Sequence, residues 1–409
     1  MKAFLSYKPT NENPVITVPG SKSESNRLLI LKALYSNLEI NNLSNSDDTI
    51  SLQKGIKTKN GIVDVHHAGT AMRFLTAYFA SKEGVEITLT GSQRMQERPI
   101  KILVDALLSL GADIQYVNNK GYPPIKIIGK TISKNSVSLN ANVSSQYISA
   151  LMLIAPSLSN GLQIHLVGEV TSVPYINMTL DLLKKVGVSG SFSDNKILIQ
   201  PIKTIKTKSI NVESDWSSVS YFYSLVALSD TMKLTLKNYS VASLQGDSEL
   251  VSIYEKLGVE TIFNTLDKSI QLKKINKFSS EPLHLNLNKT PDIAQTIAVT
   301  CFGMGLHCKL EGLKTLKIKE TDRLLALQTE LEKLSARVKI SEDSIEVFSS
   351  EKINKNVVIE TYQDHRMAMA FTPLSVKKSL IINQPEVVTK SYASFWEDFK
   401  KIGIRAEIK

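Results

Sequence analysis

Four charged residues fall within five positions of the segment KIKETDRLLAL, residues 317–327. Lys319, Glu320, Asp322 and Arg323 come first, and an apolar run typical of a helix follows directly. An exposed helix would spread such charges around its turns, whereas here they collect at one end. A carboxylate can transfer a proton, and neighbouring cations can hold an anion in place. The segment is therefore either the charged start of an ordinary helix or a place where opposite charges meet an ionic substrate.

Similar polar clusters stand at other predicted helix starts in both halves of the chain. They are PGSKSESNR (19–27), AGTAMRF (68–74), LTGSQRMQERPI (89–100), NVSSQYISALML (142–153) and QDHRMAMAF (363–371). Helix N-termini expose free amide groups and a partial positive charge, so they bind phosphate. Each stretch taken singly is ambiguous, because a plain helix cap or a surface ion pair also explains it, and for NVSSQYISALML the plain cap is favoured. Their recurrence predicts helix starts that converge on a site for small anions.

Helix boundaries near two of these charges can be predicted from local signals. Gly20 permits a tight turn, and the apolar helix after it is expected to begin at about Asn26. In the segment NVESDWSSVSYFYSLVAL, Ser217 or Ser218 is expected to cap the next helix.

The overall charge of the chain narrows the class of partner. Its 409 residues carry a net charge of +10, which suits nucleic acid, a membrane surface or small anions. The lysines are mostly scattered singly and no arginine-rich tract occurs, so we expect no nucleic-acid partner. The longest apolar segment, YISALMLIAPSL, contains Pro156 and is too short to span a bilayer, so we expect no membrane partner. Small anionic molecules remain the favoured ligands.

The cysteine and histidine content bears on compartment and metal binding. Two cysteines, Cys301 and Cys308, are too few for a disulfide framework, and the start MKAFLSYKPT has no signal-peptide core. We therefore expect a cytoplasmic protein.

The adjacent His66 and His67 would point to opposite faces of a strand, and no nearby cysteine or carboxylate completes a zinc set, so no metal site is predicted.

A repeated pattern predicts the elements that position these residues. An amphipathic helix that ends in glycine and is followed by a strand recurs about every 70 residues. The helix-end positions are Gly111, Gly187, Gly258, Ser335 and Gly403, with a weaker sixth copy around Gly55. Glycine accepts the left-handed conformation of a helix C-terminus, which other residues resist. The pattern predicts an α/β fold of six units, with helices packed against mixed sheets in two similar domains. We place the chain crossings near Gly20 and Ser214, so residues 1–19 with 215–409 form one domain and 20–214 the other.

Six spaced motifs together resemble the 5-enolpyruvylshikimate-3-phosphate synthase family. They are GSKSESNR, AGTAMRFL, LTGSQRMQERPI, VPYINMTL, KETDR and DHRMAM, and the resemblance runs in order from about Lys22 to Lys390. It implies two domains that close around the substrates, each of three βαβαββ units with the helices inside the sheets, an inside-out α/β barrel. It implies transfer of the enolpyruvyl group of phosphoenolpyruvate to the 5-hydroxyl of shikimate 3-phosphate, by addition and elimination with release of phosphate. It implies a monomer with no metal or organic cofactor.

The resemblance also implies roles for individual residues. The shikimate 3-phosphate contacts are expected at Lys22, Ser23, Arg27, Ser144, Ser145, Gln146, Ser172, Tyr175, Asp292 and Lys319. The phosphoenolpyruvate contacts are expected at Lys22, Gly69, Arg94, Gln146, Arg323, Arg366 and Lys390. Glu320 is expected to act on the methylene carbon, with Asp292 and Lys319 at the 5-hydroxyl and Lys22 as a further catalytic residue; which of Asp292, Lys319 and Glu320 is the base stays open.

Several positions depart from the family pattern, and two other functions compete. Thr315 and His67 stand where Asn is common in the family, and Val173 stands where Lys is frequent. Phe74 stands where some members have Pro. The related UDP-N-acetylglucosamine enolpyruvyl transferase would usually show a cysteine in its first domain, whereas both cysteines here lie in the second half. A non-catalytic anion-binding or RNA-binding protein on the same repeat is the other alternative, and it leaves Glu320 and Asp292 without a role.

Overall fold

The structure is a computed structural model that describes residues 1–10, 13–140, 144–168, 170, 173–205, 208–275 and 281–409. The chain divides into two compact units. Unit 1 comprises residues 1–19 and 213–409, and unit 2 comprises residues 20–212.

Helices and strands alternate along both units. The α-helices are α1 (Lys22–Leu34), α2 (Asp47–Lys57), α3 (Gly69–Ala80), α4 (Gln93–Gln96), α5 (Lys101–Leu110), α6 (Ser145–Ile154), α7 (Val173–Lys185), α8 (Trp216–Leu228), α9 (Leu250–Glu255), α10 (Ala294–Gly303), α11 (Arg323–Lys333), α12 (His365–Phe371) and α13 (Phe395–Lys401). The strands are β1 (Lys2–Tyr7), β2 (Val15–Ile16), β3 (Leu38–Asn41), β4 (Asn60–Asp64), β5 (Glu86–Thr90), β6 (Asp113–Tyr116), β7 (Ile125–Ile128), β8 (Ser136–Asn140), β9 (Leu162–Val167), β10 (Gly190–Ser193), β11 (Lys196–Ile199), β12 (Lys208–Asn211), β13 (Lys233–Lys237), β14 (Val259–Asn264), β15 (Ser269–Lys274), β16 (Leu283–Asn286), β17 (Cys308–Glu311), β18 (Val338–Ile340), β19 (Ile345–Val347), β20 (Val357–Ile359), β21 (Leu380–Asn383) and β22 (Ile404–Ile408).

The sheets confirm the predicted repeat. In one copy, β4 and β5 pair in parallel around α3, and β6 and β7 form a hairpin whose β7 pairs antiparallel with β5. The same strand order recurs in β8-β9-β11-β10, β16-β17-β19-β18, β2-β13-β15-β14 and β20-β21-β1-β22. The sixth sheet is the parallel pair β3 and β12. Unit 1 thus holds three mixed sheets, and unit 2 holds two mixed sheets and the parallel pair. Among the described strands the sheets stay separate and form no closed barrel.

Each unit contains helices that are buried on all sides. In unit 1 these are α8, α10 and α12, which pack on one another, and every residue of α10 is buried. In unit 2, α3 packs on α6 and α6 packs on α1. A helix with apolar residues on every face, such as GTAMRFLTAYFA in α3, is stable only when other elements enclose it. None of the described helices is long and apolar enough to cross a bilayer.

The helix-end residues of the repeat adopt the predicted left-handed conformation. Gly111, Gly187, Gly258 and Gly403 have φ values from 79° to 104°, and Ser335 has φ 83°. At Gly111, Gly187 and Ser335 the next residue donates its amide hydrogen to a carbonyl five residues back, which closes a Schellman motif. The expected sixth position is different, because Gly55 lies inside α2, where its missing side chain lets Leu75 approach.

Ser335→Gly is expected to raise the free energy of unfolding by about 1 kcal/mol. The left-handed conformation costs serine about 1–2 kcal/mol, and glycine adopts it without that strain. Part of the gain is lost because glycine gives up more conformational entropy than serine when the chain folds. Denaturant midpoints measure the change. The matched control is Gly187→Ala, where an added Cβ meets nothing within 4 Å, so the conformational strain acts alone and lowers stability. An unchanged or lowered midpoint for Ser335→Gly would contradict the prediction.

Candidate active site

The N-termini of the three buried helices of unit 1 meet at Arg366. Its Nη1 donates to the carbonyl oxygen of Asp292 at 2.9 Å, and its Nη2 donates to Ser217 Oγ at 3.3 Å. Asp292 lies in the 3-10 helix Pro291–Ile293 that leads into α10, and Ser217 lies in the first turn of α8. Arg366 itself is in the first turn of α12. Its Nη2 also lies 3.3 Å from Asp292 Oδ2, so a cation and a carboxylate stand together at this end of the helices.

Carboxylates cap two of these helices, α12 and α8. Asp364 Oδ1 accepts from the Arg366 amide at 2.9 Å and begins α12. Asp215 Oδ1 accepts from the Ser218 amide at 2.7 Å and begins α8, so the predicted serine cap at 217 or 218 is wrong. Ser217 and Ser218 lie inside the helix, after its first residue Trp216, and the aspartate at the cap adds a negative charge that a serine would not supply.

Arg323 is held by three carboxylates. Its side chain is only 2% exposed. Nε lies 2.7 Å from Asp364 Oδ2, Nη1 lies 3.0 Å from Asp292 Oδ1, and Nη2 lies 2.9 Å from Glu320 Oε2. Burial alone would lower the pKa of Arg323, but the three carboxylates outweigh it and raise the pKa above its ordinary value. One guanidinium therefore brings the carboxylates expected to transfer protons into a single cluster.

The segment 319–323 combines a helix cap with the charged cluster. Asp322 is the cap, because its Oδ1 accepts from the amides of Leu324 and Leu325, both at 3.1 Å. Lys319 Nζ lies 3.6 Å from Asp292 Oδ1. The Asp292 carboxylate would raise the pKa of Lys319, but burial and the nearby Arg323 oppose it and the net pKa is lowered. Lys319 therefore loses its proton more readily than an exposed lysine.

Lys390 and the residues before α12 form a strained edge of this cluster. Lys390 Nζ donates to the carbonyl oxygen of Gln363 at 2.6 Å. Tyr362 and Gln363 have φ values of 52° and 54°, which are unfavourable for residues other than glycine. The Tyr362 hydroxyl donates to Glu330 Oε1 at 2.6 Å and fixes this conformation. His365 follows, buried, with Nδ1 3.6 Å from Asp364 Oδ1.

Arg27 is a buried cation of unit 2. Helix α1 begins at Lys22, four residues before the predicted start at Asn26, because Ser21 Oγ accepts from the Glu24 amide and caps it there. Lys22, Ser23 and Arg27 therefore share the first turns of one helix. The hydrogen bonds of Arg27 end on neutral oxygens: Thr179 Oγ1 at 2.7 Å, the Ser23 carbonyl at 2.8 Å, Ser149 Oγ at 3.0 Å and the Tyr175 carbonyl at 3.5 Å.

The surroundings of Arg27 favour an anion beside it. Burial lowers the pKa of Arg27 to about 10, so the guanidinium stays charged at neutral pH. Its Cζ lies 6.0 Å from the ring centroid of Tyr175 and 5.6 Å from that of Phe74. A phosphate or carboxylate at this point would compensate a charge that the neutral oxygens and the carboxylate of Glu24 offset only in part, since burial still lowers the pKa.

Helix starts also meet in unit 2. Gln146 Nε2 donates to Thr70 Oγ1 at 3.3 Å and joins the start of α6 to that of α3. Ser144 caps α6, since its Oγ accepts from the Gln146 amide at 3.4 Å, and Ser145 is the first helical residue. Gly69 begins α3 beside Arg98, whose Nη1 lies 2.6 Å from the position a Cβ at residue 69 would occupy. Gly69 therefore has no room for a side chain while Arg98 keeps this position.

One predicted site residue, Arg94, has an exposed side chain. Arg94 in α4 has a side chain that is 49% exposed and an ion pair with Glu97 at 3.2 Å. That pair is the surface ion pair that the sequence left open as the alternative for this stretch, and exposed pairs contribute only about 0–1 kcal/mol. Ser172 lies outside the described residues.

Other polar residues of these helix starts were not assigned a role from sequence. Asp48 Oδ1 accepts from Asn26 Nδ2 at 3.0 Å and from the Ala71 amide at 3.1 Å, so it joins α1, α2 and α3. Buried Arg73 donates to the Gly69 carbonyl at 3.1 Å, and burial followed by Arg98 lowers its pKa to about 10. Arg73 lies in the motif AGTAMRFL, which was a signal for it. No sequence signal marks Asp48, which is like any acidic residue in the first turn of a helix.

The adjacent histidines lie in a turn and not in a strand, which corrects the expectation that they point apart. Their Nδ1 atoms are 2.6 Å from each other. His67 Nε2 lies 3.5 Å from Asp47 Oδ2. Across the described ranges, no group of three or more His, Cys, Asp or Glu residues could hold a metal ion.

Comparisons with known proteins agree with the motifs and the repeat. A family model described as EPSP synthase (3-phosphoshikimate 1-carboxyvinyltransferase) matches residues 50–399. A 3-phosphoshikimate 1-carboxyvinyltransferase of Bacteroides fragilis is 44% identical over 410 residues, covering 99% of each chain. One of Colwellia psychrerythraea is 35% identical over 420 residues, covering 95% of this chain and 97% of that protein. The solved structure of EPSP synthase from Acinetobacter baumannii has the same fold, with a TM-score of 0.78 at 19% identity over 99% of this chain and 100% of that chain. The chain belongs to the EPSP synthase family.

Proposed function

We propose that the protein transfers the enolpyruvyl group of phosphoenolpyruvate to the 5-hydroxyl of shikimate 3-phosphate and releases phosphate. This is the carboxyvinyl transfer of the shikimate pathway, which leads to chorismate and the aromatic amino acids. The observation that carries the proposal is the cluster in which Arg323 gathers Glu320, Asp292 and Asp364. Such a cluster provides proton-transfer groups beside cations, which the joining of two anionic substrates requires.

The residues form two sets, one for each substrate, which share Lys22 and Gln146. Shikimate 3-phosphate is bound by Lys22, Ser23, Arg27, Ser144, Ser145, Gln146, Ser172, Tyr175, Asp292 and Lys319. Phosphoenolpyruvate is bound by Lys22, Gly69, Arg94, Gln146, Arg323, Arg366 and Lys390. The contacts of Arg27 with neutral oxygens support the first assignment, and the joined helix starts at Arg366 support the second. Each substrate carries a phosphate and a carboxylate, so several cations are needed to offset their repulsion.

The chemistry proceeds by addition and then elimination. The 5-hydroxyl oxygen forms a bond to C2 of phosphoenolpyruvate, its proton passes to Asp292 or Lys319, and Glu320 gives a proton to the methylene carbon. In the tetrahedral adduct the bond from C2 to the phosphate oxygen breaks and phosphate leaves. A proton of the new methyl group returns to Glu320, and the vinyl double bond forms again. The lowered pKa of Lys319 supports its exchange of the hydroxyl proton.

Phosphate release tests the proposed reaction directly. We expect release with shikimate 3-phosphate and phosphoenolpyruvate together, and none with either alone. UDP-N-acetylglucosamine with phosphoenolpyruvate tests the rival transferase, which we do not favour because Cys301 and Cys308 both lie buried in the second half of the chain. Release only in that arm would overturn the proposal, and binding without release in every arm would favour a non-catalytic protein.

Arg27→Met is expected to raise the dissociation constant for shikimate 3-phosphate about 10- to 100-fold, because hydrogen bonds to charged groups are worth roughly 1.5–3 kcal/mol. Calorimetric titration measures the change. The matched control is Lys32→Met, which removes an exposed cation from the last turn of the same helix and is expected to bind normally. Equal affinity in Arg27→Met and Lys32→Met would remove Arg27 from the site.

We also propose that the protein acts in the cytoplasm and as a monomer. The free thiols of Cys301 and Cys308, both buried, fit a reducing compartment. Light scattering after size exclusion should give the mass of a single chain, 45.3 kDa. A stable mass of twice that value would contradict the monomer.

A further inference from the structure

Asp247 is a buried carboxylate held at the start of α8. It lies in the 3-10 helix Gly246–Glu249 and is 4% exposed. The preceding Gln245 fixes this segment, because its Oε1 accepts from the Trp216 amide at 2.9 Å and its Nε2 donates to the Ser214 carbonyl at 2.9 Å. The Asp247 side chain therefore has a defined position.

A single hydroxyl connects Asp247 to Arg366. Ser217 Oγ donates to Asp247 Oδ2, and Arg366 Nη2 donates to the same Oγ at 3.3 Å. Arg366 also pairs with Asp292, 3.3 Å away. Neither the family motifs nor the proposed mechanism gives Asp247 a role, although it stands next to the cation proposed to bind phosphoenolpyruvate.

The charges that face Asp247 are mixed. Asp292 from the start of α10 and Asp215 from the cap of α8 are negative, and Arg366 from α12 is positive. Glu249 on the same 3-10 helix is exposed. Burial, followed by the charge of Asp292, raises the pKa of Asp247 to about 7, against the opposing effects of Ser217 and Arg366.

We propose that Asp247 is a positioning residue that couples the binding of the anionic substrate at Arg366 to the uptake of one proton. This inference rests on the proposed function, in which phosphoenolpyruvate is that substrate. An anion at Arg366 adds negative charge near Asp247 and favours its neutral form. A neutral Asp247 in turn leaves more of the Arg366 charge to the substrate, since binding and protonation must strengthen each other equally.

The sign of the pH dependence follows from this coupling. Below pH 7, Asp247 is largely protonated and the anion meets no extra charge. Above pH 7, the empty site holds a carboxylate, and binding must first return a proton to it. The KM for phosphoenolpyruvate should therefore rise, by up to about tenfold per pH unit well above the pKa, while kcat changes less.

Asp247→Asn tests the coupling, because the amide keeps the shape and the acceptor for Ser217 but cannot titrate. Calorimetric titration of phosphoenolpyruvate in the presence of shikimate 3-phosphate, at pH 7.5 in two buffers of different ionisation enthalpy, counts the protons taken up. The Glu320→Gln background suppresses turnover during the titration. We expect uptake in the protein that retains Asp247 and none in the Asp247→Asn variant. Without the Glu320 change, Asp247→Asn should show a KM that stays flat above pH 7.

Glu249→Gln is the matched control, since it removes an exposed carboxylate two residues away and should keep the uptake. Should Asp247→Asn fail to fold, Asp247→Ser provides a second neutral side chain. Equal proton uptake with and without Asp247, or no uptake in the protein that retains it, would overturn the inference. Absence of phosphate release by the unaltered protein would instead count against the proposed function, so the two failures are distinguishable.

Discussion

Glu320→Gln is expected to lower kcat by about 10²- to 10⁴-fold while the binding of both substrates changes little. General acid–base catalysis contributes a factor of this size. The amide oxygen can still accept from Arg323 Nη2, which lies 2.9 Å from Glu320 Oε2, so the arrangement of the cluster is kept. What the amide cannot do is give a proton to the methylene carbon and take one back. Steady-state phosphate release gives kcat, and calorimetry on the slow variant gives the dissociation constants.

Glu342→Gln is the control for this experiment. Glu342 is 88% exposed and pairs with Lys317 at 2.9 Å, so the same change there should leave kcat unaltered. Near-normal turnover by Glu320→Gln would remove Glu320 from the mechanism. A large loss of affinity with unchanged kcat would assign it to substrate binding.

Arg323→Met is expected to lower the free energy of unfolding by about 3–5 kcal/mol, the usual result of breaking a buried ion pair. Asp364 is fully buried, and its Oδ2 would lose the Nε contact at 2.7 Å. Asp292 and Glu320 would also lose the cation that joins them, and their repulsion adds to the loss. Denaturant unfolding measures the change, with Arg405→Met, an exposed arginine, as the control.

A second substitution separates this cause from a simple packing defect. If the unpaired carboxylate is responsible, Asp364→Asn introduced into Arg323→Met should restore part of the stability, which a double-mutant cycle would show as a coupling between the two sites. An effect of Arg323→Met no larger than that of Arg405→Met would show that the three ion pairs contribute little to folding.

Much of the fold follows from local signals. The repeat predicts left-handed helix ends at Gly111, Gly187, Gly258, Ser335 and Gly403, and all five have positive φ. Such an end depends on one residue and the turn before it, so the sequence pattern suffices. The predicted start of α1 is wrong by four residues, because the first turn, SKSES, is polar although Glu24 and Ser25 are buried. Its serine hydroxyl oxygens accept from backbone amides, Ser21 Oγ from that of Glu24 and Ser25 Oγ from that of Ser44, which periodicity of apolar residues cannot reveal.

The cluster around Arg323 could be predicted only in part. The family resemblance names Asp292, Glu320, Arg323 and Arg366 as site residues, and the structure joins these four through contacts between them. Asp364 lies in the motif DHRMAM but was assigned no role from the sequence, although its Oδ2 lies 2.7 Å from Arg323 Nε. The sequence assigns no role to Asp247 or Asp48, because each is an ordinary acidic residue in its own segment.

The sequence by itself determined the repeat, its helix ends and the family, because these depend on residue types at short spacing or on motifs in a set order. The tertiary structure alone decided which charges meet. Arg323 and Asp364 are 41 residues apart, and Arg366 and Ser217 are 149 apart. The contacts arise because the buried helices α8, α10 and α12 pack with their starts together, and burial then changes the pKa of groups such as Lys319 and Asp247.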